Sequence, residues 1–370
     1  MKVALVHDWL NTKFGGGERM LAELAAMYPE APIYTLVCNP DVLEPSIDPS
    51  RVRTSFLQRM PGWLRQRSRY MLPLIPMAIE QFDFSEYDVV ISTSSAFAKG
   101  VVTKPSTLHI CYCFSPMRFV WDYWPQYLEE QRVGALRRTA IRLMTSRLRL
   151  WDFYSAARVD RWVAISQTTA DRIEKFYRRS VDRVIYPGAE LEQFKPTALK
   201  DKGDYFVTMA ALTPYKRIDL AVAACTQLGQ RLIVMSDGSD RARLEEMAGP
   251  TVEFVGRVSD QRRAELVAGA KALIFPNEED FGIAPIEAMA AGAPVIAYRK
   301  GGLTETVIDG ETGLFFDEPT TESLIEAIQR FDPDDFKLKN LTTQAERFSM
   351  KKFRTDFGSF VEEQYAKFKS

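Results

Sequence analysis

Residues 273–298 read LIFPNEEDFGIAPIEAMAAGAPVIAY. Two apolar runs of strand length, LIF and PVIAY, flank the helix-forming segment IEAMAA, so the stretch reads as strand, loop, short helix and strand. Pro285 marks the expected helix start and Gly292 its end, which puts Ala284 at the N-cap. Alanine has no side-chain oxygen. The first turn is therefore left with unsatisfied N–H groups and the positive end of the dipole, and Gly282 lets the chain come close to whatever sits there. A phosphate fits that description.

Two carboxylates frame the turn: Glu279 in the loop and Glu287 eight residues later, at the third expected helical position. Acids do not bind phosphate; beside one, they accept hydrogen bonds from hydroxyl groups, as the sugars at both ends of a diphosphate offer. Taken singly, Glu287 is a first-turn acid offsetting the dipole, and Glu278, Glu279 and Asp280 are a solvated loop. The combination E-x7-E with Phe281-Gly282, Pro285 and EAMAAGAPV is far more specific. It resembles the retaining GT-B glycosyltransferases of family 4, in which this motif holds a nucleotide sugar. The resemblance implies that Glu287 meets the ribose and Glu279 the transferred hexose, with Phe281, Gly282 and Ile283 on the donor.

Further motifs extend the resemblance. In LTPYKRIDLAVAA, Lys216 and Arg217 stand at a helix start, where a basic pair opposes the dipole unless an anion compensates both. The family places an Arg and a Lys on the donor diphosphate here, as G-R-L…K-G; this chain keeps Lys216, has Ala211 at the Arg position and carries Arg217 at the usual glycine. Glu279 and Lys216 are the expected catalytic pair. VEFVGRVSD (252–260) matches the stretch that receives the nucleotide base, with Arg257 and Ser259 as candidates. Gly301 and Gly302 follow near the same pocket.

At the other end, the apolar run Lys2–Val6 leads into HDWLNTKFGGGERMLAELAAMY, a strand, glycine loop and helix. The loop lacks the Lys-Ser/Thr of a P-loop and the third glycine of a dinucleotide fingerprint, and glycines that merely shape a turn are an equal reading. The resemblance sets Gly16 and Gly17 against the donor phosphates. CYCFSPMRFVWDYWPQYLEE (111–130) resembles the family's Y-C-H-S/T-P-x-R-x-x-W-D stretch, with Phe114 where the family has a histidine near the transferred sugar. Arg118 is suited to an acceptor phosphate, while Phe119, Trp121, Tyr123 and Trp124 are suited either to sugar rings or to the core. Arg118, Trp121 and Asp122 are the acceptor candidates.

The 370 residues are enough for two domains. Strand candidates IYTLVC (33–38), DVVIST (88–93), LHICYC (108–113) and WVAIS (162–166), then YFVTMAAL (205–212), RLIVMS (231–236), VEFVG (252–256), ALIFP (272–276) and PVIAY (294–298), alternate with helices, the pattern of parallel sheets covered on both faces. The later helices are expected at 216–228, 239–248 and 259–269. The Pro-, Gly- and charge-rich passage 183–204 is the expected linker. Four cysteines without paired spacing and only two histidines argue against a zinc site; Cys111 and Cys113 are expected in the core. The opening KVALVHDWL has no cleavage site and no run approaches the ~18 apolar residues of a spanning helix, so a cytoplasmic protein is expected.

Net charge is −1, unevenly placed: residues 1–185 hold 25 basic and 19 acidic residues, the remainder 23 and 30. Arg51–Leu72 and Arg132–Leu150 interleave arginines with apolar and aromatic residues. That composition suits an anionic bilayer, at ~1 kcal/mol per basic residue, or equally an amphipathic helix packed on its own domain. Neither half is basic enough overall for nucleic acid.

The resulting expectation is an α/β protein of the GT-B type. Two Rossmann-like domains face each other across a cleft, an acceptor domain at 1–187 and a nucleotide-sugar domain at 188–350, and a C-terminal helix at 351–370 crosses back to the first. The resemblance implies hexosyl transfer with retention, mannose from GDP-mannose first, with UDP- and dTDP-sugars open. The implied acceptor is a lipid-linked (polyprenyl diphosphate) glycan of bacterial surface polysaccharide, at the inner face of the plasma membrane. This fold generally works without a metal and no DxD motif sits at a strand end, so no cofactor is expected. Asp8 and Glu279 are weighed as covalent nucleophiles and set aside. Ala211 and Phe114 motivate the alternative of a non-catalytic GT-B subunit that binds a sugar nucleotide or lipid. A dinucleotide oxidoreductase is disfavoured by the incomplete glycine fingerprint.

Overall fold

In the computed structural model, described over residues 1–11, 15–65, 70–122 and 134–370, the chain forms two compact units, Met1–Ile185 with Arg354–Ser370, and Tyr186–Phe353. Tyr123, Trp124 and Arg132 lie outside the described residues, as do Arg67 and Arg69.

The first unit holds a seven-stranded sheet: β1 (Val3–His7), β2 (Ile33–Thr35), β3 (Val52–Thr54), β4 (Val89–Ser94), β5 (Leu108–Cys113), β6 (Arg161–Ala164) and β7 (Arg183–Val184). All pairs are parallel, in the order β3-β2-β1-β4-β5-β6-β7. Every residue of β1, β4 and β5 is buried, as strands covered on both faces must be. One face of the sheet carries two clusters: Ala4, Val6 and Val90 join Phe97, Ile75 and Ile79, and further along the same face Cys111 and Cys113 join Trp162, Ile173 and Tyr177. All four cysteines are free and buried.

The last helix, Met350–Lys369, contributes residues 354–369 to this unit. Phe357 and Phe360 are at most 1% exposed, Phe357 meets Tyr112 edge-on at 5.3 Å, and Arg161 Nε donates to Gln364 at 2.7 Å.

The second unit repeats the plan: β8 (Phe206–Met209), β9 (Leu232–Met235), β10 (Val252–Gly256), β11 (Ala272–Phe275), β12 (Val295–Tyr298) and β13 (Gly313–Phe316), parallel and ordered β10-β9-β8-β11-β12-β13. Helices Ile218–Leu228 and Thr321–Arg330 bury Ile218, Leu220, Leu324 and Ile328 against one face. In both sheets the strand order reverses direction once, between β1 and β4 and between β8 and β11. Ligands of open parallel sheets bind beyond the carboxyl ends of the strands at such reversals.

The arginine-rich segments are partly structural. Arg51 spends its guanidinium on the carbonyls of Ala25, Tyr28 and Ala31 at the end of the helix Gly16–Met27, and Arg149 on Val120 O. The helix Ala135–Ala156 buries Thr145, Leu148, Asp152 and Ala156 and exposes Leu143, Leu150 and Tyr154 with Arg147 along one stripe.

Candidate functional site

In the second unit, the loops after β8 and β11 meet. Lys216 ends a short turn, Pro214–Lys216, and its Nζ is ion-paired with Glu279 Oε1. Asn277 Nδ2 donates to the same oxygen at 3.0 Å and orients it. Asn277 is 1% exposed, and its own Oδ1 has no partner among the described residues. This residue is absent from the expectations; the run Asn277-Glu278-Glu279 directly after a buried strand is the signal that points to it.

Arg217 caps the helix Ile218–Leu228 in the left-handed region, φ 50° and ψ 33°. That conformation explains why glycine suits this position, and it costs an L-residue ~1–2 kcal/mol. Arg217 Nε lies 3.2 Å from Asp219 Oδ1. The basic pair at the helix start is thus answered by two acids, Asp219 and Glu279.

The helix of the opening motif runs Ile283–Ala290, with Gly282 as N-cap at φ 88° and no side-chain cap. It starts two residues earlier than expected. Pro285 occupies the third position, where a missing N–H is harmless because first-turn amides have no intrahelical acceptor. Among the described residues no acceptor takes the N–H of Gly282, Ile283 or Ala284. These three amides and Lys216 are the arrangement's positive end.

The same two-residue displacement makes Glu287 the fifth helical residue rather than the third. It is 2% exposed, and Arg263 Nη1 lies 3.2 Å from its Oε2. Phe281 turns its side chain into the core, 3% exposed, stacked on Tyr186 at 5.6 Å and edge-on to Phe348; only its backbone is left for a ligand. Arg257 is exposed beyond β10, and Ser259 Oγ caps the helix Asp260–Gly269.

Gly301 and Gly302 shape this site from outside it. Gly302 N donates to Glu279 O at 2.8 Å. A Cβ on Gly301 would lie 2.3 Å from Glu279 O, and one on Gly302 2.5 Å from Asp280 O. Side chains are excluded there so that the acid-bearing loop can sit down on the chain leaving β12. Thr304 Oγ1 donates to Gly301 O and Tyr186 OH to Glu305 Oε2, both within the fold.

In the first unit, the helix Gly16–Met27 starts beside the carboxyl end of β1. Gly15 is its cap, Glu18 Oε2 accepts from Gly15 N at 3.0 Å, and Gly16 and Gly17 form the first turn. A Cβ on Gly17 would come 3.2 Å from the Phe114 ring and 3.8 Å from that of His7. Asp8 accepts four backbone N–H bonds, from Ser95, Ala96, Phe97 and Ala98, at 2.6–2.9 Å. It fixes the loop after β4 and has no geometry left for a nucleophile. His109 is fully buried, bonded through Nε2 to Ser92 Oγ at 2.8 Å, and does not replace the histidine missing at 114.

The acceptor candidates divide. Trp121 stacks on Phe176 at 5.1 Å, lies under the Arg149 guanidinium at 5.5 Å and donates Nε1–H to Asp152 Oδ2 at 2.7 Å; Asp152 in turn holds the buried ammonium of Lys99. Trp121 is therefore a packing residue, not a stacking platform. Arg118 and Asp122 pair at 3.7 Å, and Arg172 joins Asp122 at 3.2 Å.

Residues 14–193 match the family Glycosyltransferase Family 4, and residues 190–348 match Glycosyl transferases group 1. Both halves of this chain are glycosyltransferase domains. The D-inositol 3-phosphate glycosyltransferase of Rhodococcus opacus is 30% identical over 220 residues, 52% of this chain and 49% of that one. The alpha-1,3/1,6-mannosyltransferase ALG2 of Mus musculus is 27% identical over 284 residues, 66% of this chain and 65% of its own. The chain spans about half the length of the first curated relatives it matches. The Anabaena protein HepE, solved with UDP-glucose, superposes with a TM-score of 0.69 at 17% identity, over 98% of this glycosyltransferase chain and 100% of HepE. At that identity the likeness concerns the fold, GT-B with two Rossmann-like halves.

Proposed function

We propose that the protein transfers a hexose from a nucleoside diphosphate sugar to a saccharide hydroxyl, with retention at the anomeric carbon. One observation carries the reading. Lys216 and Glu279, delivered from the carboxyl ends of β8 and β11 where the strand order reverses, are paired to each other in a site that also holds a helix start with three unclaimed amides.

An arriving diphosphate takes Lys216 and the amides of Gly282, Ile283 and Ala284, and so separates Lys216 from Glu279. The freed carboxylate, still oriented by Asn277, accepts hydrogen bonds from hydroxyls of the hexose. When the glycosyl–phosphate bond breaks, negative charge grows on the departing phosphate, where the fixed amides and the ammonium already point. That phosphate takes the proton of the attacking hydroxyl on the same face of the sugar, so no protein nucleophile and no metal is needed. Glu287, beside Arg263, is the ribose contact of this reading.

The proposed donor is GDP-mannose and the proposed acceptor a lipid-linked glycan, at the cytoplasmic face of the membrane. The mannosyltransferase among the relatives supports the hexose, while UDP-glucose in HepE keeps a uridine donor in view. No described helix is long and apolar enough to cross a membrane, and the exposed stripe Leu143, Arg147, Leu150 and Tyr154 supports contact with its surface.

The test is a thermal-shift screen with GDP, UDP and dTDP, followed by turnover with the matching sugar nucleotide. Lys216→Ala and Glu279→Ala are each expected to lower turnover by at least ~10²-fold with Tm nearly unchanged. Near-normal rates in both variants defeat the reading. Tight nucleotide binding without turnover, a competent acceptor being present, favours a non-catalytic subunit.

A further inference from the structure

The first unit has its own reversal of strand order, between β1 and β4, and the last residue of β1 is His7. His7 stands opposite Thr93 in the register of the two strands, and its Nδ1 lies 2.8 Å from Thr93 Oγ1. The hydroxyl of Thr93 is already committed, donating to Val6 O at 3.1 Å. It can only accept from the ring, so the neutral imidazole carries its proton on Nδ1 and presents a bare lone pair at Nε2. Among the described residues nothing bonds to Nε2. His109, the other histidine, is locked to Ser92 inside the sheet.

The surroundings keep that lone pair usable. Burial holds His7 below its usual pKa, against the opposing pull of Asp8 and Glu18, so the ring is neutral at pH 7 and accepts rather than donates. Gly17 carries no Cβ over the ring edge, and Phe114 closes the far side of that space. A fixed acceptor at a strand-order reversal, beside an apolar ring, suits a sugar hydroxyl, which brings both a proton to give and a C–H face to pack.

We propose that His7 Nε2 accepts a hydrogen bond from a hydroxyl of the saccharide on which this protein acts, with Thr93 as the positioning residue that sets the tautomer. The assignment rests on the glycosyltransferase reading.

Because the chain has only two histidines, full-length protein labelled with 15N-histidine gives two imidazoles to follow. His7→Gln identifies which is which. The expected spectrum at pH 7 shows His7 with a protonated Nδ1 and an unprotonated Nε2. Addition of GDP-mannose or UDP-glucose, or of methyl α-mannoside, then moves Nε2 towards the hydrogen-bonded value. A shift with the sugar nucleotide and not with GDP or UDP assigns the transferred hexose; a shift with the glycoside alone assigns the acceptor. No shift in any arm, or a proton found on Nε2, overturns the proposal.

In turnover assays His7→Ala is expected to lower kcat ~10-fold or more while nucleoside diphosphate affinity stays unchanged. Thr93→Val, which leaves the ring in place, is expected to give a mixture of tautomers and an intermediate rate. Wild-type kcat in His7→Ala also overturns it. A wild-type protein that binds no nucleoside diphosphate defeats the transferase reading instead, and the labelled spectrum still judges His7 by itself.

Discussion

The two histidines of the first unit sit on opposite faces of one sheet and report on it differently. His109 is wholly buried, and burial pushes its pKa down to about 4 from 6.5. The folded state therefore binds fewer protons than the unfolded chain between pH 6.5 and 4. The stability this group contributes is intact above pH 6.5 and is lost as pH falls through 4, about 3 kcal/mol in full. Urea titrations across that window are expected to show the loss, and His109→Gln is expected to reduce it; an unchanged pH profile in the variant rules the cause out. Residue types alone did not reveal such assignments. Lys216, Glu279 and the glycines were legible because each is recognisable in a run of neighbours, whereas Asn277 and His7 act through partners 2 and 86 residues away. Trp121 poses the same difficulty: its aromatic ring suits sugar and core alike, and only its partners Phe176 and Asp152 decide for packing.

Elements are more legible in this sequence than their ends. LHICYC and VEFVG form strands residue for residue, because short runs dominated by β-branched, aromatic and other apolar residues leave few alternatives. The start of the helix Ile283–Ala290 was displaced because proline is tolerated throughout a first turn, and two residues of displacement rotate a side chain by roughly 200°. That rotation decides whether Glu287 faces the helix end or Arg263. β3 lies inside an arginine-rich segment and β13 in a four-residue run after a turn, and neither has the length or pattern that marks a strand in sequence. The glycine pair at 301–302 has a mechanical office beside the pocket. Gly302→Ala puts a methyl 2.6 Å from Phe281 Cα and must push the Glu279 loop away. A loss of ~1–3 kcal/mol in stability, with nucleotide affinity reduced at least several-fold, is expected from calorimetry and titration. Wild-type affinity in that variant frees the loop from the role given to it.

At the scale of the molecule, both units present their candidate residues at the reversal of strand order, His7 and the glycine turn in one, Lys216 and Glu279 in the other. Charge separates them: the basic excess lies before residue 186 and the acidic excess after it. Anionic vesicles are expected to sediment the protein at low salt and release it at high salt, and a Leu143→Asp, Leu150→Asp double variant to stay in the supernatant. Salt-insensitive binding, or binding by the double variant, returns the exposed stripe to ordinary surface. The final helix has a consequence of a different order. Phe357 and Phe360 belong to the interior of the unit that begins at Met1, yet they leave the ribosome after every residue of the other unit. A nascent chain thus carries an unfinished first half through nearly the whole of its translation, with Tyr112 waiting for a neighbour not yet made. The domain begun first is the one completed last.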